Sequence, residues 1–168
     1  MKKILIFVHD IYEDLELWYP KIRLEEAGFK TEVAGPEAGK IHKGKHGYPC
    51  KADLSFESIH PHSYIGLVIP GGYAPDKIRR SSKALEIVKQ MDEEKKMIAF
   101  ICHAGWVPIS AKILKGKKVT GFSAIKDDLE NAGAHYLDRS VVVDGNLITS
   151  RTPEDLPDFC KAMLQFLG

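Results

Sequence analysis

The sequence predicts an α/β sandwich built on a mostly parallel sheet. Three observations carry that prediction. Apolar strand signals and amphipathic helix signals alternate along the whole chain, and alternating β and α units build parallel sheets with helices on both faces. The first strand signal, Lys3 to Val8, is unbroken apolar sequence from Ile4 onward rather than alternating, as a strand buried on both faces must be. The chain has 168 residues, enough for one domain with its own core and no disulfide staples. The expected architecture is therefore a flavodoxin-like three-layer sandwich, one domain over residues 1–168.

Each element follows from local residue choice. After the first strand a helix is expected from about Glu13 to Ala27, with Leu15, Trp18, Ile22 and Leu24 on its apolar side and Gly28 as its C-cap. Phe29 to Gly35 reads as the second strand. Pro36, Gly39, Gly44 and Gly47 punctuate a loop or hairpin that runs to Lys51. Ile65 to Ile69 is a short apolar strand closed by Pro70-Gly71-Gly72. Ser82 to Glu94 is helical, with Leu85, Ile87, Val88 and Met91 on one side. Met97 to Ile101 is a buried strand, and Ala104 to Leu114 is apolar and helical. Lys118 to Thr120 (strand), Ala124 to Ala132 (helix) and Ser140 to Val143 (strand) follow. Asp144-Gly145 then turns the chain into Leu147 to Ser150, a hairpin pattern. Pro153 opens a last helix from about Glu154 to Leu167. In such sheets ligands bind beyond the carboxyl ends of the strands, so the loops after Val8, Ile69 and Ile101 are where chemistry is expected.

Composition narrows the function classes. Hydrophobic residues make up 44% and charged residues 28%, which excludes a disordered chain. The net charge of +1 comes from scattered residues, so neither nucleic acid nor an anionic membrane is an expected partner. Met1-Lys2-Lys3 before Ile4 to Val8 begins like a signal peptide, but the apolar run is too short and His9, Asp10, Glu13 and Asp14 follow at once. No stretch is long enough to span a membrane. Cys50, Cys102 and Cys160 are odd in number and far apart, which points to a reducing compartment and a cytoplasmic location. The histidines form no ligand set along the chain. His60 and His62 sit in a loop around a proline, so no metal is expected.

The strongest chemical signal is at residues 97–106. A buried strand ends at Ile101 and a helix begins within a residue or two, so Cys102 sits on the connecting turn, in the manner of a nucleophile elbow. Ala104 and Gly105 are small where strand and helix must approach; Phe100 is not. A helix N-terminus favours the thiolate, which predicts a Cys102 thiol titrating below its ordinary value of about 8.5, and the same N–H groups suit an oxyanion. Free cysteine is also a common buried apolar residue, the better reading for Cys50 and Cys160. His103 is a candidate general base beside the thiol, although adjacent side chains usually point apart.

Two further loops converge on the same end of the sheet. Asp10, Glu13, Asp14 and Glu16 follow the first strand. Glu16 lies one turn into the helix among Leu15, Leu17 and Trp18, where a partly buried carboxyl would stay protonated and hydrogen-bond the thiolate or its oxidised form. Residues 70–76, Pro-Gly-Gly-Tyr-Ala-Pro-Asp, follow another strand, and their two glycines allow a tight turn with free N–H groups for an oxyanion. The spacing is not that of a phosphate-binding loop, so no nucleotide is expected.

Together these segments resemble the PfpI family of intracellular proteases, general stress proteins and parkinsonism-associated protein deglycases. The matching stretches are residues 12–20, Gly44-Lys-His-Gly47, 67–76, Ala99-Phe-Ile-Cys-His103, 125–133, 141–146 and 149–156, in order along essentially the whole chain. The resemblance implies the class I glutamine amidotransferase-like fold with Cys102 as nucleophile, His103 as its histidine and Glu16 as the glutamate contacting the cysteine. Gly72 and His103 would supply the oxyanion N–H groups, with Gly71, Tyr73, Trp106 and Phe122 around the pocket. In the protease-like branch the triad is completed by a glutamate from a neighbouring subunit. Asp76, one methylene shorter, stands at that position. Phe122 stands where that branch has a tyrosine, and His-Ala-Gly-Trp replaces the commoner His-Gly-Pro after the cysteine, which implies that Trp106 reshapes the pocket wall. The resemblance also implies a homo-oligomer, a dimer or a ring of dimers.

Three functions follow, in order of fit. The first is a cofactor-independent enzyme acting on reactive carbonyls, a small aldehyde or a protein adduct, of the glyoxalase III or deglycase type. The second is a cysteine peptidase acting through an acyl-enzyme on a peptide substrate. The third is a redox-sensing or chaperone-like stress protein whose Cys102 oxidises to a sulfinate beside Glu16.

Overall fold

The architecture of the computed structural model, which describes residues 1–168, follows the alternation of the sequence. In chain order, β1 (Lys3–Phe7) leads into α1 (Asp14–Glu26) and β2 (Lys30–Gly35). A hairpin of β3 (Ile41–Lys43) and β4 (Pro49–Lys51) and a short β5 (Leu54–Ser55) precede β6 (Gly66–Ile69). Next come α2 (Ala74–Ile78), α3 (Ser82–Glu93), β7 (Met97–Ile101) and α4 (Trp106–Ser110). The chain closes with β8 (Lys118–Val119), α5 (Lys126–Asn131), β9 (His135–Tyr136), β10 (Val142–Asp144), β11 (Leu147–Ser150) and α6 (Leu156–Leu167).

Seven strands form the central sheet in the order β10-β11-β7-β6-β1-β2-β5. All neighbours run parallel except β10, which pairs antiparallel with β11. β6 and β7 are buried at every position, which explains their unbroken apolar runs. α1 and α6 pack together on one side, while α3, with α2, α4 and α5 around it, packs on β6 and β7. Chain direction across the sheet reverses between β1 and β6, because β1 connects outward to β2 and β6 connects outward to β7. The crevice at that switch point is where the loops after β1, β6 and β7 meet. No helix is long and apolar enough to cross a membrane.

Several boundaries differ from expectation for identifiable reasons. The helix after Cys102 is not one long element. A 3-10 turn, Cys102–Gly105, leads to the five residues of α4, and Lys112 at φ 62° takes the chain out of helical geometry. The terminal hairpin turns at Gly145-Asn146, one residue beyond the expected Asp144-Gly145. α1 is rotated about its axis relative to expectation. Its buried residues are Asp14, Glu16, Leu17, Pro20 and Leu24, so Leu24 is buried as expected, while Leu15 and Ile22 are 57% and 58% exposed. Leu15, Trp18 and Ile22 have the same i, i+3, i+7 spacing as Leu17, Pro20 and Leu24, so spacing alone could not choose between the stripes. The choice was made by the contacts of α1 with β2, β6 and α6.

Candidate functional site

Cys102 stands where β7 stops. It is one of four non-glycine residues with positive φ, at 63°, a conformation costly for a residue with a side chain. Its carbonyl accepts from Phe122 N–H at 3.0 Å, tying the turn to the segment before α5. Phe100, the large residue that departs from the small-neighbour pattern, is buried in the core. The turn projects Sγ into the crevice, where His103 Nδ1 lies 3.3 Å away. Adjacent side chains here do meet, because the positive-φ turn folds one back on the other.

Glu16 reaches the same point from α1 and is fully buried. Glu13 caps that helix, its carboxylate accepting from Glu16 N–H at 3.1 Å. Glu16 Oε1 accepts from Gly71 N–H at 2.9 Å, and Oε2 has no hydrogen-bond partner. Gly71 is indispensable to this approach. A Cβ there would stand 2.5 Å from Glu16 Oε1, 2.8 Å from Cys102 Cβ and 3.0 Å from the Ile101 carbonyl oxygen. Gly72 takes φ 77°, and a Cβ on it would strike the backbone of residues 11–13 at 2.5 to 2.8 Å. The turn is locked to the β1 loop through Tyr73 N–H, which donates to the Ile11 carbonyl at 2.8 Å, and Glu13 N–H, which donates to the Gly71 carbonyl at 3.1 Å.

The two acids control each other. Burial first, then the charge of Glu13, pushes Glu16 up to about 8. Burial first, then the charge of Glu16, pushes the Cys102 thiol up to about 12, against the pull of the His103 and Gly72 N–H groups and of Lys45. The expected depression of the thiol is therefore reversed. The reason is physical: the helix behind Cys102 is a short turn with little dipole, and desolvation outweighs it. Interacting sites titrate as a unit, so below about 8 the pair holds both its protons. Burial, with Lys45, also lowers the pKa of His103, which favours a neutral imidazole.

The remaining expected residues divide. Gly72, Tyr73, His103 and Phe122 line the cavity with Cys102 and Glu16. The ring of Phe122 lies 4.8 Å from that of His103 and holds it from one side. Trp106 does not form the cavity wall. It stands edge-on behind His103 at 5.2 Å, donates to Asp128 at 3.0 Å and faces a separate groove beside Arg79. Asp76 does not line the cavity either. Its exposed carboxylate is held by Arg80 at 2.8 Å, so within this chain the expected His103–Asp76 pair is not formed.

Sequence reasoning missed Lys45, Thr152 and Pro153, which complete the rim, and gave Glu13 no role. Lys45 is carried by the hairpin turn after β3. Asp14 accepts from His46 and Tyr48 N–H, both at 2.9 Å, and a Cβ at Gly44 would overlap that carboxylate. The signal was present in Gly44-Lys-His-Gly47, but only the tertiary fold lays that turn against α1. Thr152 and Pro153 are set by Arg151, clamped between Asp155 and Asp138. The cavity so enclosed measures about 160 Å³.

Comparison with known proteins shows the family. Residues 2–166 match the model of the DJ-1/PfpI family. The chain is 45% identical over 165 residues to Deglycase PfpI of Pyrococcus furiosus, covering 98% of this chain and 99% of that one. It is 42% identical over 166 residues to the putative cysteine protease YraA of Bacillus subtilis, covering 99% and 98%. Among solved structures, a two-domain protein with DJ-1/ThiJ/PfpI-like and ferritin-like domains from Anabaena variabilis superposes with a TM-score of 0.98 at 43% identity. The match covers all of this chain and 48% of that one, so this chain spans about half of that protein. Drosophila melanogaster DJ-1beta superposes with a TM-score of 0.93 at 28% identity, covering 99% and 90%. A matched family model over nearly the whole chain and relatives above 40% identity place this chain in the DJ-1/PfpI family.

Proposed function

We propose that this chain is a cofactor-independent cysteine enzyme acting on small reactive carbonyls, of the glyoxalase III or deglycase type. The observation that carries the reading is the arrangement around Sγ: a buried, protonated Glu16 with an unpartnered oxygen beside a thiol that faces the His103 and Gly72 N–H groups. In the proposed step the thiol proton passes to the neutral His103 imidazole, whose Nδ1 lies 3.3 Å away, and Sγ bonds to the aldehyde carbon. The oxyanion rests against the Gly72 and His103 N–H groups and takes the Glu16 proton to give a hemithioacetal. His103 returns its proton to the Glu16 carboxylate and then, for an α-oxoaldehyde such as methylglyoxal, carries a proton from C1 to C2 while the C1 hydroxyl proton passes to the C2 oxygen. Water then hydrolyses the resulting thioester to the 2-hydroxy acid and frees the thiol.

Cavity size favours a small substrate. At about 160 Å³ it falls well below the roughly 300 to 1,000 Å³ of sites for larger ligands. The names of relatives as deglycases support the same reading. The peptidase reading is supported by the name of the Bacillus subtilis relative, but it asks for a third triad member, and Asp76 is engaged by Arg80. The sulfinate reading draws on the same Glu16 proton. The deciding experiment is methylglyoxal consumption by wild type and Cys102→Ser, with peptide hydrolysis and Cys102 oxidation followed in parallel. Turnover lost in the variant is the expected result. No methylglyoxal turnover in the wild type overturns the proposal, with peptide hydrolysis favouring the peptidase and oxidation alone favouring the sensor.

A further inference from the structure

One group of metal-ligating side chains lies outside the thiol cavity. β1 ends at Phe7, and His9 and Asp10 follow on its loop; His42 comes from β3, in the hairpin that folds over the end of β2. One ligand atom from each of the three lies within 4.8 Å of the others. His42 is fully buried. Its Nδ1 lies 2.7 Å from Asp10 Oδ1, and its Nε2 has no hydrogen-bond partner. The Nε2 edge fills the niche left by Gly35, where a Cβ would stand 3.2 Å away. The Nδ1 edge is thereby turned toward Asp10. The His9 and His42 rings are 5.4 Å apart and tilted at 57°, not stacked. Asp10 forms no salt bridge except that with His42.

We infer that His9, Asp10 and His42 form a binding site for a divalent transition metal of the zinc class, which fastens the hairpin of residues 41–51 to the loop after β1. Two imidazoles and a carboxylate are a ligand set suited to zinc, cobalt or nickel, and three protein ligands leave a fourth position for water. His9 and Asp10 are both partly open to solvent, which supplies the entry path. The geometry also states what binding must change. Two ligand atoms at about 2.05 Å from a tetrahedral ion lie about 3.3 Å apart, so the ion replaces the His42–Asp10 hydrogen bond and opens that pair slightly. His9 must release the Asp10 N–H that its Nδ1 now accepts at 2.8 Å, or turn its Nε2 inward. His42 Nε2 is unpaired in either tautomer, so ligation through Nδ1 creates no new orphan. Lys40 and Lys77 act on the same loop and oppose a cation, so the site is weaker than a four-cysteine structural zinc site. Its consequence is mechanical. Ile11, at φ 62°, binds Lys43 through its N–H and Tyr73 through its carbonyl, so a clamp at residues 9, 10 and 42 also stiffens the support of Lys45 and Gly72.

The test is a Co²⁺ titration of the purified full chain, followed by visible ligand-field absorption, with Zn²⁺ as competitor. The expected result is saturation at one equivalent with the intense bands of a four-coordinate ion, and displacement by Zn²⁺. His9→Ala and Asp10→Asn should each weaken Co²⁺ binding at least about tenfold while keeping the far-ultraviolet dichroism of the wild type. Cys102→Ser should bind as the wild type does. Asp10→Asn preserves side-chain shape, so it reads ligation even if His9→Ala perturbs folding. Absence of saturable binding overturns the inference. So does a titration unchanged in Asp10→Asn, or thiolate-to-metal charge-transfer absorption that disappears in Cys102→Ser.

Discussion

Cys102 and Cys160 are pushed by burial to the same place, about 12, yet their surroundings differ in kind. Cys160 lies inside α6 at 2% exposure, and no hydrogen-bond partner serves its sulfur. Cys102 lies on a positive-φ turn with an imidazole at 3.3 Å, two N–H groups toward the sulfur and an acid that shares its protons. Desolvation alone does not distinguish a nucleophile from a packing residue. What distinguishes them is whether the displaced water is replaced by groups able to hold charge when it forms.

The partner with the largest energetic signature is Glu16. An acid raised from its ordinary 4.5 to about 8 by folding stabilises the fold in its protonated form. That contribution is complete below about 4.5 and is lost as pH climbs toward 8. At about 1.4 kcal/mol per pH unit, the loss over this interval is roughly 5 kcal/mol. Denaturant unfolding of wild type and Glu16→Gln from pH 4.5 to 8.5 should show that slope in the wild type and its absence in the variant. Identical slopes would show that Glu16 is not the protonated partner of Cys102.

The next break is at the sulfurs themselves. Cys102→Ser should lower kcat/KM for methylglyoxal at least about a thousandfold. Cys160→Ser should leave it unchanged and cost about 1 to 3 kcal/mol for a buried hydroxyl without a partner. Equal kinetic effects at the two positions would erase the distinction. Gly71→Ala strikes the contact between Glu16 and Cys102 from outside, and an overpacked Cβ there should destabilise by about 1 to 3 kcal/mol while reducing turnover. The mildest contrast is reactivity toward iodoacetamide, mapped by mass spectrometry. Cys102 should alkylate first, because its sulfur alone of the three opens on the cavity, at a rate still rising with pH above 8 toward its raised thiol titration. Three cysteines alkylated at one rate would leave Cys102 with no activation to explain.

Much of this molecule is legible along the chain. Continuous apolar runs at 4–8, 65–69 and 97–101 announced strands buried on both faces, and their alternation with helical segments determined a parallel sheet. The turn at Cys102 and the paired glycines at 71 and 72 were readable because tight geometry demands small residues there. Local sequence could not tell which stripe of α1 faces inward, since Leu15, Trp18 and Ile22 repeat as well as Leu17, Pro20 and Leu24 do. It could not tell that Lys45 lines the thiol cavity, that Trp106 faces another groove, or that His42 meets Asp10 across 32 positions. Nor could it fix the sign of the shift at Cys102. Periodicity and turn chemistry act over a few residues and can be read in order, whereas burial and charge coupling depend on which distant segments exclude water from a point, and only the tertiary structure decides that.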